Sequence, residues 1–116
     1  MDSNVSKLLE ENGFDVEGTM KRFLNNDALY MKCLKKFLAD ESMEKLKMAY
    51  EEGNCEEAFK AAHTMKGFVS NLGINRLYQA INPMVEKLRV GNMDIEAELK
   101  ITEELYHSTY KLIETL

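Results

Sequence analysis

Apolar residues along the chain recur at spacings of three and four, and no stretch alternates strictly between apolar and polar, so the pattern predicts helices and no strands. A first helical stretch is expected through Ser6, Leu8 and Leu9 and stops at Asn12-Gly13; a short helical segment then runs from Asp15 to Phe23. Asn25-Asn26-Asp27 offers caps for a stronger helix, in which Tyr30, Cys33, Leu34, Phe37 and Leu38 keep the spacing of one buried face. Asp40-Glu41-Ser42 predicts a break or a bend, after which Met43, Leu46 and Tyr50 carry the pattern to Gly53.

Asn54, with Glu57 three positions on, reads as a capping box that opens the next helix, and Gly73 stands where a left-handed C-terminal cap would end it. Ile74, Leu77, Ile81, Met84 and Leu88 define a further helix, with Pro83 inside the pattern; the proline should kink it or free the carbonyl one turn earlier. Gly91-Asn92 ends that helix. The last, from about Asp94, has Leu99, Thr102, Tyr106, Thr109 and Ile113 on one side. Short connections at Gly53, Gly73 and Gly91 favour antiparallel neighbours. The expected fold is therefore all-α, an up-and-down antiparallel four-helix bundle over residues 26–116 with helices beginning near Asp27, Asn54, Ile74 and Asp94. Residues 1–25 form an N-terminal helical extension, and the 116 residues make one domain.

Composition narrows the function classes. Charged residues make up 30% of the chain and the formal net charge is −5, which argues against nucleic acid as the main partner; Lys32, Lys35 and Lys36 read as the solvated edge of an amphipathic helix. Cys33 and Cys55 form no CxxC pair and share no metal-ligand spacing with His63 or His107, so they read as partly buried thiols of a reducing compartment, and no metal site is expected. No apolar run approaches a bilayer-spanning length and the N-terminus has neither a basic start nor an apolar stretch, which places the protein in the cytoplasm, away from membranes. The eight methionines, Met43, Met65 and Met84 among them, fall mostly on apolar stripes and read as core.

One block carries candidate chemistry: His63-Thr64-Met65-Lys66-Gly67, continuing through Ser70, Asn71, Leu72 and Gly73. On a helical wheel with His63 at zero, Lys66 falls at roughly −60°, Gly67 at roughly +40° and Ser70 at roughly −20°. Ala58, Ala61, Ala62, Met65, Phe68, Val69 and Leu72 fill the opposite arc, so the imidazole should face solvent. An unperturbed imidazole titrates at about 6.5 and is mostly neutral and nucleophilic near pH 7. Lys66 sets a positive charge where a phosphoryl group on His63 would place negative charge. Gly67 costs about 1 kcal/mol relative to alanine inside a helix, a cost that close approach of a bulky group would offset. Phe59 lies beside His63 outside the core arc, either as an exposed docking contact or folded against a neighbouring helix. Lys60, Thr64 and Asn71 flank the stripe on its other side and could touch a partner, or be merely solvated. His107 has no lysine or glycine at helical spacing and reads as an ordinary surface or groove histidine.

The stretch from His63 to Leu77 resembles the signature of histidine-containing phosphotransfer (HPt) domains, a histidine followed by lysine and glycine at the third and fourth positions and by a later Leu-Gly. Gly13-Phe14-Asp15-Val16, Arg22-Phe23, Leu29-Tyr30, Leu34 and Phe37 are similar to the segment that precedes the histidine helix in free-standing members. The resemblance implies a phosphorelay intermediate: His63 accepts a phosphoryl group from a receiver-domain aspartate and passes it to another receiver, with Lys66 as supporting charge and Gly67 as clearance. Phe59, Lys60, Thr64, Ser70 and Asn71 would face the partner. No Gly-rich phosphate loop or kinase motif is present, so the chain would be no kinase and need no cofactor, the Mg²⁺ belonging to the receiver. Response-regulator receivers and a hybrid sensor kinase are the implied partners, and a closed bundle implies a monomer. The competing reading is a helical adaptor or decoy that binds receivers without being phosphorylated.

Overall fold

Asp2 starts the first helix, its carboxylate accepting from the Asn4 N–H at 2.7 Å and the Val5 N–H at 3.3 Å. The computed structural model describes residues Met1–Leu116 and contains seven α-helices and no strand. In order they are α1 (Ser3–Glu11), α2 (Val16–Arg22), α3 (Asp27–Lys35), α4 (Ser42–Glu51), α5 (Cys55–Asn71), α6 (Asn75–Arg89) and α7 (Glu96–Glu114), with a 3₁₀ turn at Lys36–Ala39. Side-chain caps come from Asp15 on α2, Asn26 on α3 and Asn54 on α5, each accepting from an N–H three residues on. The expected helices are all present. None is long and apolar enough to cross a membrane.

Two boundaries differ from the hydrophobic pattern. The helix expected to run through Leu38 leaves α geometry at Lys35, and Lys36–Ala39 winds more tightly. That turn seats Phe37 against Phe68 of α5, ring centroids 5.9 Å apart, and against Tyr106 of α7 at 4.7 Å. The chain then bends at Asp40, whose Oδ2 accepts from the Tyr106 hydroxyl and from Ser42 Oγ, both at 2.7 Å. A spacing of three suits 3₁₀ and α winding alike, so the pattern could not distinguish them. The last helix starts at Glu96 rather than Asp94; Lys87 ties the loop before it, through the Asp94 carbonyl at 3.0 Å, to its first turn, through the Glu98 carboxylate at 3.1 Å. Pro83 does not interrupt α6. It and Gln79, whose carbonyl it leaves without a helical donor, both lie on the exposed side, where water can satisfy that oxygen.

Consecutive helices fold back on one another: α4 packs along α5, α5 along α6 and α6 along α7, while α3 and the 3₁₀ turn touch α7. On that side α4 thus packs along α5, while the segment that begins at Asp27 meets the C-terminal end of α5, through Tyr30 at the Leu72 carbonyl and Phe37 on Phe68. A single cluster of 26 buried apolar side chains draws on every helix, and Leu9, Val16 and Met20 bring α1 and α2 into it.

The α1–α2 segment straps the turn between α5 and α6. Phe14 and Ile74 form an isolated antiparallel bridge, the Asp15 N–H donates to the Gly73 carbonyl at 2.8 Å, and Arg76 N–H donates to the Gly13 carbonyl at 3.3 Å. Arg22 Nη2 reaches the Asn71 and Ser70 carbonyls at 3.1 and 3.3 Å and so satisfies the last turn of α5. Gly73 itself has φ +73°, the left-handed cap read from the sequence.

Tyr30 is fully buried at the foot of this strap, its hydroxyl donating to the Leu72 carbonyl at 3.2 Å. Burial pushes its pKa up to about 12, against which the Arg22 charge acts weakly. Tyr106 moves in the same direction, through burial and then its bond to the Asp40 carboxylate. A phenol whose folded pKa is raised stabilises the fold fully below the unfolded value near 10 and loses that contribution as pH rises through the folded value. Stability to denaturant should therefore fall between pH 10 and 12, by about 2–3 kcal/mol for Tyr30 alone. Urea unfolding of Tyr30→Phe should show a visibly smaller fall than wild type; an equal fall would place the alkaline transition elsewhere.

Candidate functional site around His63

Glu56 and Glu57 open α5 with negative charge at the positive end of its dipole, and the Asn54 cap accepts from the Glu57 N–H at 3.1 Å. Ala58, Ala61, Ala62, Met65 and Val69 are buried, which fixes the rotation of the helix and leaves His63, Thr64, Gly67, Ser70 and Asn71 exposed. The wheel drawn from the sequence holds for this helix.

His63 makes no hydrogen bond and no ion pair in the structure. Its neighbour is Phe59, one turn earlier, with ring centroids 5.5 Å apart and planes inclined by 30°. Phe59 is half-buried and packs on the edge of the core, so it is both folded down and beside the imidazole. The Arg89 guanidinium, from the end of α6, lies 5.2 Å from the centre of the same ring, and it pairs with Glu86 at 3.5 Å.

The two lysines nearest the histidine differ in what surrounds them. Lys60 lies 3.5 Å from Glu56 and 3.4 Å from Glu57, and its pKa is raised chiefly by the bond to Glu57. Its charge is already matched. Lys66 has no carboxylate within ion-pair distance; its Nζ rests 6.0 Å from the centre of the Tyr78 ring on α6. The ring leaves the cation un-neutralised one turn beyond His63, where an incoming anion would meet it.

Gly67 has open space where a Cβ would stand, with no heavy atom of another group within 4 Å. Nothing inside the protein needs a glycine there. Gly67→Ala should accordingly raise stability, by about 0.5–1 kcal/mol or a few degrees in Tm, which thermal unfolding followed by circular dichroism would read. A loss of stability would mean that the gap serves the fold.

The remaining candidates lie to one side. Lys60 and Thr64 line a groove of about 710 Å³ between α5 and α4, whose other wall includes Glu41, Lys45, Met48 and Glu52. Asn71 lines a smaller hollow of about 310 Å³ with Cys33, Lys36, Phe37 and Phe68, and Asp40 borders both. Ser70 and Asn71 give their carbonyls to Arg22, so the strap holds their backbone while their side chains stay exposed. His107 is also exposed, on α7, edge-on to Tyr106 at 6.4 Å. Both cysteines are free and half-buried, and no three His, Cys, Asp or Glu side chains gather in a metal-binding group.

Tyr78 and Arg89 are neighbours of the site that the hydrophobic pattern did not reveal. The signal that could have found them is the hairpin turn: in antiparallel helices joined at Gly73, residues equally far from the turn face each other, and Lys66 with Tyr78 and Phe59 with Arg89 are nearly so placed. No family model, curated protein or solved structure matches the chain.

Proposed function

We propose that the protein is a phosphorelay intermediate of the HPt kind, in which His63 takes a phosphoryl group from a receiver-domain aspartate and hands it to the aspartate of another receiver. The observation that carries the reading is an exposed imidazole with no internal hydrogen bond, set between an un-neutralised Lys66 and the empty space at Gly67. In the transfer a neutral ring nitrogen attacks phosphorus, the bond from phosphorus to the aspartyl oxygen breaks, and the carboxylate leaves with its electron pair. The other ring nitrogen keeps its proton. Lys66 would meet the negative charge that the phosphoryl oxygens bring to His63, and Gly67 lets the receiver's surface come close.

The fold supports the same reading. In it α4, α5, α6 and α7 serve as an up-and-down antiparallel four-helix bundle, one domain with α1–α3, and the histidine sits mid-helix on an open face. The protein works as a cytoplasmic monomer, neither a kinase nor a nucleic-acid binder, with response-regulator receivers and a hybrid sensor kinase as partners. It carries no cofactor; the Mg²⁺ that assists the chemistry is bound by the receiver. Phe59, Lys60, Thr64, Ser70 and Asn71 form the rim on which a receiver would rest.

The test is transfer from a panel of phosphorylated receiver domains to the purified protein. Acid-labile, base-stable label on the protein is expected from at least one of them. Binding without any label would overturn the relay and leave an adaptor, and Gly67→Ala, more stable as it should be, is expected to accept phosphate at least 10-fold more slowly.

A further inference from the structure

A nucleophilic histidine is ordinarily oriented by a hydrogen bond from its second ring nitrogen, and His63 has none. What touches the imidazole is the Phe59 ring, at a centroid distance of 5.5 Å and with the planes 30° apart. Phe59 in turn is held from two directions. Below it is the apolar core; beside it is the Arg89 guanidinium, 5.2 Å from the ring centre. Arg89 stands at the last position of α6, where the Cys55 thiol donates to the Leu88 carbonyl at 3.5 Å and ties that helix end to the start of α5. The guanidinium thus approaches from the N-terminal end of α5 while His63 lies one turn toward its C-terminus, and Phe59 is the side chain that both of them meet.

We propose that Phe59 is a positioning residue for His63, and that Arg89 clamps Phe59, so that a stack running Arg89–Phe59–His63 holds the imidazole in one rotamer without occupying either ring nitrogen. The proposal deepens the phosphorelay reading and rests on it only for its kinetic consequence. A hydrogen-bonded partner would fix the ring but consume a nitrogen or bias its proton. Stacking fixes the plane through the ring face and leaves both nitrogens in the edge direction, available one to attack and the other to hold the proton. Arg89 acts at a distance, since a cation–π contact restrains the aromatic ring and not the histidine. Phe59 on this view is more than an exposed docking contact: it works on the unbound protein, before a partner arrives.

The first arm of the test needs no phosphoryl donor. In wild-type protein the His63 ring protons should be shifted upfield by the Phe59 ring current and report one side-chain rotamer by NMR, with His107 as the internal comparison. Phe59→Tyr should keep both signatures. Phe59→Leu, which preserves an apolar contact with the core, should lose the shift and show rotamer averaging at His63 alone, and Arg89→Met should show an intermediate loss that Arg89→Lys reverses in part. Unchanged His63 signals in Phe59→Leu would overturn the proposal.

The second arm uses a receiver that labels the wild type. Phe59→Leu should lower the limiting transfer rate at saturating phosphorylated receiver by roughly 10-fold while the half-saturating concentration stays within about 3-fold. A change confined to the half-saturating concentration would make Phe59 a docking contact and overturn the positioning role. If no receiver labels the wild type, the phosphorelay reading fails, and the NMR arm still decides whether the stack orients the imidazole.

Discussion

His63→Gln should accept no acid-labile phosphate from any receiver that labels the wild type, a loss of at least 1,000-fold, while its helix content and Tm stay close to wild type. The amide nitrogen of glutamine has its lone pair delocalised into the carbonyl and cannot attack phosphorus, although the side chain is of comparable length. The cost to the fold is small because His63 is exposed and no hydrogen bond depends on it; the substitution removes only the stacking on Phe59, whose ring centre is 5.5 Å away. A change within about 0.5 kcal/mol is therefore expected in denaturant unfolding. Labelling with phosphorylated receiver, followed by treatment with acid and with base, reads the outcome. Persistent acid-labile label on the variant would move the acceptor to another residue, His107 first, and would end the case for His63.

The largest effect on stability is expected at Gly73. Its φ of +73° costs a residue with a side chain about 1–2 kcal/mol. A Cβ built there would also collide with Thr19 Oγ1 and stand 2.8 Å from the Asp15 carbonyl oxygen, both in the strap that seals the α5–α6 turn. Neither neighbour can step aside freely: Thr19 is fully buried and accepts from Arg22 at 3.0 Å, and the Asp15 N–H is bound to the Gly73 carbonyl. Gly73→Ala should lose about 3–5 kcal/mol, a third or more of the stability of an ordinary small domain, and its Tm should fall by at least about 10 °C. A loss below about 1 kcal/mol in urea unfolding would show that the strap gives way without cost. Gly67→Ala, six residues earlier in the chain, should change stability in the opposite direction, because its neighbourhood is empty.

That contrast indicates what the sequence could and could not tell. The pattern set the two glycines apart, Gly73 as a left-handed cap and Gly67 as clearance within a helix, but the collision that a side chain would meet at Gly73 comes from Thr19 and Asp15, far away in sequence. The helices were legible because most carry a side-chain cap and each has an apolar face of its own: Asn26 and Asn54 accept the N–H bonds their positions implied, and the buried set on α5 fell where the wheel put it. The switch to 3₁₀ winding at Lys36 was not legible, since a spacing of three suits both windings and the rings that Phe37 meets there, Phe68 and Tyr106, come from distant parts of the chain. The site divided in the same way. Exposure of His63, Thr64, Gly67, Ser70 and Asn71 follows from one helix and could be read; the α6 partners of Lys66 and Phe59 come from the pairing of α5 with α6, which needs the register of two helices as well as the face of each. Matched and unmatched lysines could not be told apart for a related reason. Lys60 has acidic partners three and four residues back, within its own helix, whereas the state of Lys66 depends on Tyr78.

The strap across the α5–α6 turn bears on the order in which the protein can assemble. The packing of α4 on α5, α5 on α6 and α6 on α7 joins elements adjacent in sequence, so loop closure for these pairs is short and fast. Arg22 has to find carbonyls 48 and 49 residues further along the chain, and Phe14 has to meet Ile74. On a ribosome the strap emerges well before the turn it closes, and it has nothing to seat against until α5 and Gly73 have followed. The earliest helices made therefore dock only after α5 and the turn at Gly73 have been made, and the carbonyl end of the histidine helix stays open until they do.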